Sequence, residues 1–205
     1  MWQWISDNGQ LVSLAVSILM LIVWITYLQL LFVQFRAGRR FSVLITRAAG
    51  RGIRSRCLIT NMSAQPIYVT SLIGTLHLAD RQIELAITDL RELPEDLGDD
   101  PRSKMVQGSL MTGQYMNIGH FDEIVAATLE ANEETDIDVS EVRQLDLIAV
   151  ALYASDHLPV GASRSFRFEP RPNGRPKVQP LGLATEQIRR RRARRNLRAK
   201  VEYHT

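Results

Sequence analysis

Residues 67–90 read IYVTSLIGTLHLADRQIELAITDL, and this stretch decides the fold class. Residues 67–78 are rich in β-branched side chains, Asp80 and Arg81 make a short polar break, and 82–90 resume the apolar pattern. Two strands joined as an antiparallel hairpin are predicted. Upstream, Ile53, Ser55, Cys57 and Ile59 alternate with Arg54, Arg56, Leu58 and Thr60, the period-two signature of a strand with one buried face. Asn61-Met62-Ser63-Ala64-Gln65-Pro66 then supplies turn chemistry. FSVLIT at 41–46 either prolongs a preceding helix or opens a strand.

Downstream, FDEIVAATLEA at 121–131 sets Ile124, Val125, Thr128 and Leu129 on one helical face, which favours a short helix over an irregular strand. TDIDV at 135–139 alternates, and LDLIAVALYA at 145–154 is a nearly continuous apolar run suited to a strand buried on both sides. SRSFRFEP at 163–170 sets Phe166 and Phe168 against Arg, as a half-exposed last strand. These elements predict a mainly β fold, an antiparallel β-sandwich over 53–169. Thr60-Asn61-Met62-Ser63 followed by Pro66-Ile67-Tyr68-Val69 resembles turns of immunoglobulin-like sandwiches. The resemblance implies an immunoglobulin-like topology, although the disulfide and tryptophan hallmarks of that family have no counterpart in the chain.

Before this domain, LVSLAVSILMLIVWITYLQLLFV at 11–33 carries no charge. At about 1.5 Å per residue it is long enough for a hydrocarbon core of about 30 Å, so a transmembrane helix is predicted over 11–35. A cleaved signal peptide fits poorly, because the start MWQWISDNGQ has no basic residue and the apolar run is too long. Trp2 and Trp4 suit an interfacial belt. Arg36, Arg39, Arg40 and Arg47 follow the span, whereas Asp7 is the lone charged side chain before it. Bases flanking a span stay in the cytoplasm, so residues 1–10 are expected outside a cell (inner) membrane and the domain in the cytoplasm. The single cysteine, Cys57, excludes an intrachain disulfide and fits a reducing compartment, where it is expected to be a small buried apolar residue. Ser13 and Ser17 form a small-xxx-small pair and Gln29 adds a polar edge; such groups can partner a second helix.

The formal charge of +3 conceals opposite blocks. Residues 36–79 carry seven Arg and no acid, 80–146 carry seventeen acids against five bases, and 147–205 carry thirteen bases against four acids. The segment 91–107 reads as an exposed loop. Pro170, Pro172, Pro176 and Pro180 suggest an extended linker over 170–182. Residues 183–205 read as a separate basic helical tail, capped by Thr185 and removable without unfolding the domain. Its bases, Arg189, Arg190, Arg191, Arg192, Arg194, Arg195, Arg198 and Lys200, surround the helix. With Arg36, Arg39 and Arg40 they are the candidate lipid- or partner-binding residues, through anionic headgroups, an acidic partner, or the chain's own acidic block. Nucleic acid fits less well, since no recognition helix or aromatic stacking set accompanies the charge.

No motif for phosphate, dinucleotide or zinc-hydrolase chemistry occurs, and His77, His120, His157 and His204 are too scattered for a zinc site with Cys57. His120, Asp122 and Glu123 form the one tight polar group; helix capping is its expected role rather than acid–base work. No cofactor, metal or catalytic residue is assigned. The reading is a non-enzymatic, single-pass accessory or scaffold subunit of a bacterial-type membrane assembly, contacting another membrane protein or itself. The alternative is a membrane-anchored sensor whose acids at 95–100 or 133–138 bind a cation.

Overall fold

The computed structural model describes residues 9–37, 40–48, 50–88, 100–134, 136–153, 158–171 and 174–203. The chain divides into two units, 1–40 and 41–205. The first is a single described helix, α1 (Gly9–Ala37), long and apolar enough over Gly9–Phe35 to cross a membrane, with none of its apolar window buried. Two of its hydroxyls turn inward on the backbone: Ser17 and Thr26 donate to the carbonyls of Ser13 and Ile22, each at 2.8 Å. Ser17 therefore spends its donor within its own helix, and Gln29 is exposed. The tryptophans at 2 and 4 and the acid at 7 lie outside the described residues.

The second unit is mainly β. Its strands are β1 (Val43–Ala48), β2 (Arg56–Asn61), β3 (Ile67–His77), β4 (Gln82–Ala86), β5 (Gly108–Leu110), β6 (Tyr115–His120), β7 (Gln144–Tyr153), β8 (Val160–Arg171), β9 (Gly174–Pro180) and β10 (Glu186–Ile188). Helices α2 (Pro101–Met105), α3 (Phe121–Ala131) and α4 (Arg191–Tyr203) and a 3-10 turn at Val139–Glu141 complete it. One antiparallel sheet runs β1-β2-β6; the other runs β10-β8-β7-β3-β4, with β5 also on β3 and β9 also on β8. Both sheets contribute to one core.

The hairpin of the opening stretch forms as β3 and β4, in register from Ile73↔Ala86 to His77↔Gln82. FSVLIT resolves as a strand, since Val43 to Ala48 pair with Asn61 to Arg56. Ile53, Ser55, Cys57 and Ile59 are all buried as the alternation requires, but 53–55 form a turn and the strand starts only at Arg56. Burial pushes the Cys57 thiol up to about 12, against the opposing pull of the Arg164 charge. The turn after β2 is built on Asn61, fully buried, whose side chain donates to the carbonyls of Gln65 and Leu110 at 2.9 Å and accepts from Ser63 N at 2.8 Å. Satisfying three bonds in a dry site explains an asparagine there.

Helix α3 follows the sequence reading, burying Phe121, Ile124, Val125, Thr128 and Leu129. Its start is held by the Glu123 carboxylate, which accepts from His120 N at 3.0 Å, while His120 Nδ1 lies 2.5 Å from the Arg54 carbonyl. The tight polar group is a helix start.

Four expectations need correction. The loop over 91–107 gives way at its end to α2, with Val106 fully buried behind it, because proline is well suited to a first helical turn; 91–99 lie outside the described residues. Residues 136–139 of TDIDV form no strand, since an Asp138 cap on Ser140 N (2.7 Å) opens the 3-10 turn instead; Thr135 lies outside the described residues. SRSFRFEP is not the last strand. The proline-rich segment is no linker: β9 pairs β8 on one side, and on the other Ile53 N donates to Pro176 O (3.0 Å) and Val178 N to Arg51 O (2.9 Å). Proline is tolerated because Pro176 falls at the register shift between β8 and β9 and Pro180 ends the strand.

Candidate functional site: the docked basic helix

The segment 185–189 builds the site. Thr185, Gln187 and Arg189 alternate along β10 and its flanks, and each side chain serves the free edge of β1. Thr185 Oγ1 accepts from Ile45 N at 3.0 Å and lies 3.3 Å from Ile45 O. Gln187 accepts from Val43 N at 3.0 Å and donates to Val43 O at 2.7 Å. Arg189 donates twice to Phe41 O, at 3.0 and 2.6 Å. A strand edge needs partners for its amides and carbonyls, and here side chains of β10 stand in for a neighbouring strand. Thr185 is thus a buried staple between the two sheets, not the cap of a helix.

Helix α4 begins two residues beyond Arg189, later than the sequence suggests. It docks on the outer face of the larger sheet, where Leu197 is buried against Ile73 and Val150, with Ile148, Ile188 and Val201 around it. The seat exists because residue 161 is glycine: a Cβ there would lie 2.7 Å from Leu197 Cδ2, 3.2 Å from Ala149 O and 3.3 Å from Ile188 Cδ1. Gly161→Val is therefore expected to weaken docking by about 1–3 kcal/mol, the usual range for overpacking, and to speed tryptic cleavage within α4 about tenfold. An unchanged cleavage rate would show that Leu197 does not depend on this seat.

Docking sorts the bases that the sequence leaves distributed all round the helix. On the inner side, Arg194 donates to Pro159 O at 2.9 Å and to Leu158 O, and Lys200 pairs with Glu84, which also accepts from Thr75 at 3.2 Å. Among the described residues, the chain's own acidic block thus takes Lys200. Arg198 pairs with Glu202 at 2.7 Å, both well exposed, a contact worth about 0.3–0.5 kcal/mol. Arg190, Arg191, Arg192 and Arg195 are exposed, and among the described residues none has an ion pair. A first turn with bases and no acid opposes the helix dipole, so tertiary contacts rather than local charge hold α4 in place.

The juxtamembrane bases divide likewise. Arg40 is exposed, Arg39 and the side chain of Arg36 lie outside the described residues, and Arg47 donates to Val178 O at 2.9 Å. Arg164, across the same seam, donates to Ile45 O at 2.6 Å. Arg47 of the early basic block therefore ties β1 to β9 rather than remaining free for lipid, and Arg164 ties β8 to β1.

A second concave feature is a cleft of about 780 Å3 beside His77, Arg143, Gln144, Arg167 and Glu169. His77 Nε2 lies 2.7 Å from Asp146 Oδ2, and Gln144 donates to Asp146 at 2.8 Å. Burial pushes Asp146 up, but bonds from Ser165, Gln144 and His77 outweigh it and hold the carboxyl below the usual range. The carboxylate, not the imidazole, is central in this His-Asp-Ser array. In a nucleophile triad the imidazole lies between the carboxylate and the serine; here the carboxylate does. Among the described residues no three His, Cys, Asp or Glu side chains converge on a metal site; most of the acids at 95–100 lie outside those residues.

The sequence reading has Thr185 as a helix cap and Arg189 as a lipid- or partner-binding base, and misses both their stapling role and Gln187 with the glycine seat. The one available signal was the polar alternation of Thr185, Gln187 and Arg189, too short to stand out among helix formers. Comparison with protein-family models, curated proteins and solved structures returned no match.

Proposed function

We propose that the chain is a non-enzymatic, single-pass membrane protein that presents its two-sheet domain to a membrane assembly as an accessory or scaffold subunit. The amino terminus is outside and the domain is in the cytoplasm of a bacterial-type cell, following the basic flank. An immunoglobulin-like strand order, implied by the turn at 60–69, belongs to the same reading. The observation that carries it is the fully exposed apolar surface of α1 joined through three residues, 38–40, to a domain whose first strand is clamped by its last. A clamped entry strand suits an anchor that must hold a rigid module at a membrane, because the module's orientation is then not lost in a fraying edge.

The full-length protein with Asn8→Cys, cross-linked in native membranes and purified in mild detergent, tests both parts. Labelling of residue 8 by an impermeant reagent on intact cells, together with a stoichiometric copurifying membrane protein or self-cross-link, is the expected result. A strictly monomeric protein with no partner would overturn the scaffold reading, and labelling only after permeabilisation would reverse the orientation.

A further inference from the structure

We infer that the outward face of α4, formed by Arg191, Arg192 and Arg195 with Arg190 beside it, is a docking surface for the anionic lipid headgroups of the membrane that holds α1. The inference rests on the membrane reading above. Its first support is the sorting of charge. Counting from Leu197 at 100° per residue, Ala193, Arg194, Lys200 and Val201 fall on the side of the sheet and are half-buried, while Arg191, Arg192, Arg195 and Ala199 fall opposite. The inward bases are committed to carbonyls and Glu84; among the described residues the outward arginines have no ion pair with an acid.

The second support is position within the domain. Arg189, immediately before the free cluster, grips the carbonyl of Phe41, the first residue of this unit. Phe41 follows Ala37 by four residues in sequence, a reach of at most about 14 Å for extended chain. A covalent reach this short allows the staple, and the arginines next to it, to meet the bilayer surface.

The third is rigidity. Docked on the Gly161 seat, the helix offers its guanidinium groups without the ordering cost of a flexible tail. Guanidinium binds phosphate through paired N–H donors and anionic surfaces attract such clusters over a screening length. A nucleic acid would use the same charges, but a membrane tether brings lipid phosphate to them at high local concentration.

The test uses the full-length chain in lipid nanodiscs, with a fluorophore on Ala199→Cys and nitroxide-headgroup lipid as quencher; native Cys57 is fully buried. Quenching is expected to rise severalfold from phosphatidylcholine discs to discs with about one third phosphatidylglycerol, and to fall back in about 0.5 M salt, where screening shortens to about 4 Å. Arg191→Gln/Arg192→Gln/Arg195→Gln should abolish the rise with circular dichroism unchanged. Equal quenching in both lipids, or a rise that survives the triple substitution, overturns the proposal. Fluorescence that ignores lipid but responds to added RNA overturns it in favour of nucleic acid. A chain that fails to remain in the disc overturns the membrane reading, whereas retention without lipid-dependent quenching overturns this proposal alone.

Discussion

Truncation after Ala184 is expected to lower the melting temperature of the protein by about 10–20 °C, or to leave the domain unfolded at ambient temperature. The sequence suggests the opposite, because 183–205 read as a separate tail. In the structure the deletion removes the partners of Val43 N and Ile45 N, and a buried amide left unpaired costs about 1–3 kcal/mol. It also removes Leu197, whose burial is worth about 1.5–3 kcal/mol, and uncovers Ile73 and Val150. The sum is on the order of 5 kcal/mol, against a whole-domain stability of about 5–15 kcal/mol. For a domain of this size each kcal/mol moves the midpoint by about 2–4 °C. Thermal melts of full-length and truncated protein in the same detergent decide it; midpoints within about 2 °C of one another would mean that β1 holds without its staple.

What the sequence reveals and what it hides follow from the range of the interactions. Strands β2, β3, β4 and β7 were legible because alternation records which face is buried, a local property. Helix α3 was legible for the same reason at period 3.6, through Ile124, Val125, Thr128 and Leu129. Strand β9 was not, since Pro176 and Pro180 signal an open linker until it is known that Gly174–Pro180 lies along β8 and beside 51–53. The staple was hidden for a deeper reason: Gln187 meets Val43 across 144 positions, and nothing in either residue's neighbourhood points to the other. The basic helix shows both limits at once. Its charge was plain, but only Leu197 in its seat tells which arginines remain for a partner.

Phe166→Ala and Phe121→Ala are each expected to cost about 3–5 kcal/mol, the range for emptying a buried aromatic site. Both rings are fully buried, with centroids 4.8 Å apart and planes inclined at 59°, and Phe121 also meets Phe168 edge-on at 6.4 Å. Such pairs add about 0.5–1.5 kcal/mol beyond burial, so the double variant should lose less than the sum of the singles by about that amount. In urea each single variant should shift the midpoint by about 2 M, if the slope is about 2 kcal/mol/M. A shift under about 0.5 M would mean the core refills the space. The two variants part company at the sheet surface. Phe166 faces the core from β8, the strand that places Gly161 under Leu197 on its other face, whereas Phe121 opens α3. At matched stability, Phe166→Ala should therefore speed tryptic cleavage within α4 more than Phe121→Ala does. Equal rates would separate the seat of the basic helix from the core beneath it, and would leave Leu197 and the side-chain staple as the sole determinants of where those arginines point.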